Sequence, residues 1–172
     1  AADWLEAFGD AEEILCITIT ATLSGSYNSA MMAKQSYEEM YPERKVFVIN
    51  SLTAGPEIAL IIDKISELIK EDKSFDDIVS EITEYCKNTG LLFMLESMKN
   101  LANNGRVNHI VAKMAGILGI RVVGKASNKG DLEPLNKCRG EEKALIAIAE
   151  HLMEAGLKNG KVKIPHCFNE KA

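Results

Sequence analysis

Residues 23–30 read LSGSYNSA, a small polar turn between an apolar run at 14–19 and a helical pattern at 27–40. A strand that ends in such a turn and opens a helix leaves unpaired backbone N–H groups at the positive end of the helix dipole. Hydroxyl side chains crowd the same turn, at Thr20, Thr22, Ser24 and Ser26. The turn therefore predicts a site for an anion, either a phosphate or a carboxylate. The alternative is that Ser24 or Ser26 only caps the helix, because serine is a preferred cap residue.

The chain around this turn alternates apolar runs with amphipathic helical patterns. KVFVIN at 45–50 is the next apolar run, and it also ends in a polar turn before helical patterns that extend to about residue 88. Strands that alternate with helices indicate a parallel sheet covered by helices, in which ligands lie at the carboxyl ends of strands. The polar turns at 20–26 and 50–55 both follow such ends. We therefore predict that residues 1–89 form a first α/β subdomain with a mainly parallel sheet.

The pattern changes after residue 90. Apolar strand patterns at 90–95 and 120–125 are followed by the turn NKGD and a return strand at 132–138, which together indicate a hairpin. Further helices are predicted at 97–103, 108–118 and 140–157, and a last strand at 161–164. We therefore predict that residues 90–172 form a second α/β subdomain with a mixed sheet that includes the hairpin.

Composition narrows the possible function. The net charge of −5 argues against a nucleic-acid-binding surface, which would show a basic stripe. No apolar run reaches about 18 residues, so no transmembrane segment is predicted. The four cysteines form no CxxC pair, which is typical of reduced thiols in a cytoplasmic protein. GxSxG, P-loop and GxGxxG motifs are absent, and the three histidines are too dispersed for a metal motif.

Three residues outside the first turn are further candidates for binding. His166 lies in a polar turn after the predicted last strand, where ligand sites form. Arg106 and Arg139 each lie beside a glycine at a junction between predicted elements. Arginines in loops are usually solvated, but two of them could form a docking surface for a phosphate or an acidic partner.

Five short segments occur in a characteristic order: LSGSYNSA at 23–30, VINS at 48–51, NGRV at 104–107, KCRG at 137–140 and IPHCFN at 164–169. They resemble LSGTYQSA, VIDS, GGRI, KxRG and VxHAGN of the DegV family of bacterial fatty-acid-binding proteins. Each segment alone is a weak signal. Five of them in the right order, on the predicted strands and turns, make the resemblance specific.

The resemblance implies two α/β subdomains that hold one long-chain fatty acid between them. By similarity, the Ser24 hydroxyl and the Gly25 amide would hold its carboxylate together with His166, and no residue would be catalytic or bind a metal. Family members carry the fatty acid, without a cofactor or intrinsic catalysis, to a separate fatty acid kinase that makes an acyl phosphate. By similarity, Arg106 and Arg139 would face that kinase. The family pattern also opens with a strand and a Thr-Ser-x-Pro turn and continues past the histidine turn, so we expect a fragment that lacks both ends.

Two rival hypotheses follow from the residues. The first is an enzyme that binds a phosphorylated small metabolite at the Ser24 turn. Such an enzyme needs a base or metal ligands, and the sequence offers no convincing set of either. The second is a structural or regulatory interaction module that uses the face of Arg106 and Arg139.

Overall fold

The computed structural model describes residues 1–107, 119–167 and 169. The chain divides into two compact units, Ala1–Thr89 and Gly90–Ala172. Each unit combines a small sheet with helices, so the predicted α/β class is confirmed. No helix within the described residues is long and apolar enough to cross a bilayer.

Within residues 1–89, all of which the structure describes, two parallel strands and four α-helices form the first unit. Strand β1 spans Glu13–Thr18 and strand β2 spans Lys45–Asn50. They pair in register from Glu13 opposite Lys45 to Thr18 opposite Asn50. The helices are α1 (Ala2–Phe8), α2 (Ser26–Met40), α3 (Pro56–Lys70) and α4 (Phe75–Tyr85), with a 3₁₀ turn at Cys86–Asn88. The sequence predicted β1, β2 and α2 within a few residues, and it predicted helical structure over the region of α3 and α4.

Both faces of the two-stranded sheet carry apolar side chains, because successive residues of a strand point to opposite faces. Val46 and Val48 pack in a cluster with Ala30 and Ala33 of α2. On the alternate positions, Ile49 packs in a second cluster with Ile61 of α3 and Ile82 of α4. The continuous apolar run in KVFVIN is thus explained by burial on both faces.

In the described part of the second unit, three strands form an antiparallel sheet in the order β3-β4-β5. Strand β3 spans Leu92–Leu95, β4 spans Ile120–Ala126 and β5 spans Leu132–Arg139. Helices α5 (Lys99–Asn103) and α6 (Glu141–Glu154) complete the described elements. The predicted hairpin is β4–β5, and its register shifts at Val123/Gly124. Only glycine fits at 124, since a Cβ there would lie 2.5 Å from the backbone carbonyl oxygen of Glu133 and would also overlap the ring of Phe93.

Two predictions for the second unit need correction. The sheet is antiparallel over the described strands and not mixed. The strand predicted at 161–164 is wrong, because these residues form no ladder and Ile164 is 83% exposed. Alternating apolar residues form a strand only where a neighbouring strand and a buried face receive them. The helix predicted at 108–118 lies outside the described residues.

Candidate ligand-binding site

Two turns lie side by side at the carboxyl end of the parallel sheet. We call residues 19–25 the first turn and residues 51–55 the second turn. Backbone pairing continues beyond the strands, since Ser51 N donates to Thr18 O (3.3 Å) and Thr20 N donates to Thr53 O (2.8 Å). The turns are therefore held together by the same kind of ladder that joins the strands.

The first turn presents a hydroxyl and an amide at the start of α2. The carbonyl of Thr20 accepts from Leu23 N (3.1 Å) and from Ser24 N (3.3 Å), and Ser24 Oγ accepts from Ser26 N (3.2 Å). The hydroxyl hydrogen of Ser24 stays able to donate to an anion, because the serine oxygen acts here as an acceptor. Gly25 is exposed, and its amide has no hydrogen-bond partner among the described residues.

The alternative that Ser24 or Ser26 only caps helix α2 agrees with the structure in part. Gly25 is the N-cap residue of α2, and no cap side chain bonds to the helix from that position. Ser24 satisfies the amide of Ser26, which is the first residue of the helix. This contact uses one lone pair of the serine oxygen, so capping and anion binding by Ser24 are compatible.

The second turn is built on the side chains of Asn50 and Ser51. Asn50 Oδ1 accepts from Leu52 N (3.4 Å) and also from Ala21 N (3.2 Å) in the first turn. Ser51 Oγ accepts from Thr53 N (3.3 Å) and donates to Thr53 O (3.2 Å). Leu52 adopts a left-handed conformation with φ of 54°. Such a conformation is costly for a leucine, so the surrounding bonds have to hold it.

Two hydroxyls, one at the first residue of α2 and one in the second turn, are buried without a partner among the described residues. Ser26 Oγ and Thr53 Oγ1 form no hydrogen bond with any described residue, and Thr53 is only 2% exposed. A buried polar atom without a partner costs about 1–3 kcal/mol. Such atoms are rare in proteins, so these two hydroxyls mark a locally costly arrangement beside the two turns.

His166 lies in the second unit, in an exposed segment after α6. Its Nδ1 accepts from the backbone amide of Asn169 (3.1 Å), and the Asn169 side-chain amide donates to the carboxylate of Glu141 at the start of α6. In the neutral ring the proton is then on Nε2, which is available as a donor. The sequence did not predict that Asn169 and Glu141 hold this histidine.

Arg106 and Arg139 also belong to the second unit, and both are exposed. Arg106 Nη1 donates to the carbonyl of Asn104 (2.6 Å), which folds its side chain back on its own turn. Arg139 is the last residue of β5, and Gly140 after it has φ of 90°, so the chain turns there into α6. Of the predicted site residues, the structure therefore brings Ser24 and Gly25 together in the first unit, while His166 and the two arginines lie in the second.

The described residues offer little for metal or thiol chemistry. No group of three or more His, Cys, Asp or Glu among them is arranged to hold a metal ion. Burial raises the pKa of Cys16 to about 11. Burial also raises the pKa of Cys86, and the nearby carboxylate of Glu57 adds to that effect. These two thiols are protonated at neutral pH and are poor nucleophiles.

Replacing Thr53 by Val tests whether its hydroxyl is unpaired in the ligand-free protein. The change keeps the shape and removes the buried polar atom, so we expect the free energy of unfolding to rise by about 1 kcal/mol. Thr20→Val is the matched control, because Thr20 is also buried but its Oγ1 bonds to Thr22 Oγ1 (3.1 Å). That control should lower the free energy of unfolding by about 1 kcal/mol. Urea unfolding of the ligand-free protein measures both, and a loss of stability in Thr53→Val would contradict the assignment.

The comparison with known families gives one consistent result. A family model described as an uncharacterised protein of the DegV family matches residues 2–172. A DegV domain-containing protein from Streptococcus gordonii is 46% identical over 169 residues, which cover 98% of this chain and 60% of that protein. The chain thus spans 60% of the length of this relative.

Solved structures of similar chains carry fatty acids. A DegV family protein from Eubacterium eligens, loaded with heptadecanoic acid, is 47% identical with a TM-score of 0.88, over 92% of this chain and 57% of that one. The Streptococcus pneumoniae Fatty Acid Kinase (Fak) B3 protein, loaded with linoleic acid, is 46% identical with a TM-score of 0.88, over 90% of this chain and 55% of that one. The match of sequence and fold extends over nearly the whole chain, which therefore belongs to the DegV family.

Proposed function

We propose that the protein containing this chain binds one long-chain fatty acid and holds its carboxylate with the Ser24 hydroxyl and the Gly25 amide. The observation that carries the proposal is the first turn, where these two donors precede the 15-residue helix α2. Support comes from the similar chains loaded with heptadecanoic acid and with linoleic acid. A carboxylate is the anion that these ligands present.

The head group is oriented by the first turn. The N-terminal end of a helix stabilises a negative charge by about 0.3–1 kcal/mol. Each hydrogen bond to a charged carboxylate contributes about 1.5–3 kcal/mol, most of which offsets the cost of removing that carboxylate from water. The head group therefore adds little net affinity, and its bonds fix which end of the ligand lies at Ser24.

The hydrocarbon tail supplies the affinity. Burial of about 14 methylenes gives roughly 11 kcal/mol of transfer free energy, at about 0.8 kcal/mol for each. Immobilising the ligand removes several kcal/mol of this gain. We expect binding to strengthen with chain length until the available apolar volume is filled.

In this proposal, His166 contributes a further donor to the carboxylate through Nε2. The support is its hydrogen bond from Asn169, which occupies Nδ1 and leaves Nε2 protonated in the neutral ring. A neutral imidazole donates through its protonated ring nitrogen, so Nε2 of His166 can serve as that donor.

We also propose that the protein is a cytoplasmic carrier without intrinsic catalysis or cofactor, which presents the fatty acid to a separate kinase for acyl-phosphate formation. One similar chain bears the name Fatty Acid Kinase (Fak) B3 protein. The exposed residues Arg106 and Arg139 are the proposed contacts to that kinase. Guanidinium groups suit this role, because they bind carboxylates and phosphates through paired hydrogen bonds.

Ser24→Ala in the full-length protein tests the head-group site. We expect the affinity for oleate to fall by about tenfold, because the bound carboxylate would still be removed from water but would lose one of the hydrogen bonds that offset this cost. Ser66→Ala is the control, since Ser66 Oγ donates to the carbonyl of Ile62 (2.9 Å) within helix α3, and its loss should leave oleate binding unchanged. Titration calorimetry measures both, with circular dichroism as the test of folding. An unchanged affinity in folded Ser24→Ala would contradict the proposed site.

Arg139→Ala tests the kinase-facing surface. We expect oleate affinity to be unchanged, while the KM of the cognate fatty acid kinase for the loaded protein rises by about tenfold, as for the loss of one charged contact. Lys129→Ala, an exposed change in the turn of the β4–β5 hairpin, is the control for charge alone. If neither Arg139→Ala nor Arg106→Ala raises the KM, this surface does not contact the kinase.

A further inference from the structure

The side chain of Asn50 joins the two turns of the head-group site. Its Oδ1 accepts from Ala21 N at 3.2 Å in the first turn and from Leu52 N at 3.4 Å in the second. An amide oxygen has two lone pairs, so one atom can serve both donors. Asn50 is half-buried at the last position of β2, opposite Thr18 at the end of β1. This placement puts its oxygen where the two chains leave the sheet.

The bond to Ala21 acts on the peptide group that holds Ser24. Ala21 N and the carbonyl of Thr20 belong to one planar peptide unit. The carbonyl of that unit accepts from Ser24 N (3.3 Å) and from Leu23 N (3.1 Å). Asn50 therefore holds the N–H of this peptide group. The C=O of the same group holds the backbone of Ser24. A rotation of that plane would move Ser24 and the amide of Gly25 after it.

The bond to Leu52 acts on the second turn. Leu52 has φ of 54°, in the left-handed region that a leucine rarely adopts. An asparagine that bonds to the amide two residues ahead forms an Asx-turn, which stabilises such a local chain reversal. The second turn in turn holds the first, because Thr53 O accepts from Thr20 N (2.8 Å). Asn50 thus supports the first turn at two points, directly at Ala21 N and, through the second turn, at Thr20 N.

We propose that Asn50 is a positioning residue of the head-group site, which orients the Ser24 hydroxyl and the Gly25 amide toward a carboxylate through the Thr20–Ala21 peptide. The inference rests on the proposed function. It predicts that Asn50 sets the preference for a charged carboxylate over an uncharged head group. The hydrocarbon tail makes no use of this orientation, so its contribution to binding does not depend on Asn50.

The test compares oleate with oleyl alcohol in the full-length protein. We expect the wild type to bind oleate more tightly than oleyl alcohol. Asn50→Ala should reduce the ratio of these two affinities by about tenfold, because one hydrogen bond to the charged carboxylate would be misplaced. The affinity for oleyl alcohol should stay within about twofold of the wild type, because this ligand lacks the carboxylate. Asn50→Asp should keep the preference, since a carboxylate oxygen accepts the same two amide bonds.

The outcomes separate this inference from the function on which it rests. If the wild type binds neither ligand, the proposed function fails. If the wild type prefers oleate and Asn50→Ala keeps the same ratio, the positioning role is overturned. An equal loss of affinity for both ligands in Asn50→Ala, or a lost preference in Asn50→Asp, overturns it as well. Should Asn50→Ala not fold, Asn50→Leu, which has a similar size but no acceptor, is measured with the same criteria.

Discussion

The proposed head-group site depends on one constraint, which is that the two parallel strands end at the same register position. Thr18 at the end of β1 lies opposite Asn50 at the end of β2. The polar turns that follow are therefore neighbours, and the Thr20–Thr53 backbone bond of 2.8 Å joins them. Ser24 acquires a defined position because its backbone is bonded to this pair of turns, and the same pairing brings the side chain of Asn50 to Ala21.

Burial on both faces of the sheet fixes the register of the two strands, and with it the position at which both strands end. Val46 and Val48 pack toward α2, while Ile49, on the alternate face, packs toward α3 and α4. A slip of β2 by one residue would exchange the two faces and separate these contacts. It would also move Asn50 away from the first turn. Core packing and site geometry are thus coupled through the register of two six-residue strands.

The sequence predicted what depends on local pattern. The apolar runs of β1 and β2, the amphipathic helices, the hairpin and the polar turn after β1 all follow from neighbouring residues. The contact of Asn50 with the first turn could not be predicted in this way, because its partner Ala21 lies 29 residues away and is brought near by strand pairing. The strand predicted at 161–164 failed for a related reason. Its alternating Val162 and Ile164 are exposed and have no paired neighbour in the described sheet, and the sequence pattern alone does not show whether a neighbour exists.

The most direct test of the central claim is native mass spectrometry of the full-length protein as purified, followed by solvent extraction of the bound material. The account predicts one long-chain fatty acid for each protein molecule, because the apolar tail provides the affinity and the two turns hold its carboxylate. Gas chromatography of the extract would then identify the chain length and saturation. A protein that is empty when purified and does not take up added oleate or palmitate would contradict the account.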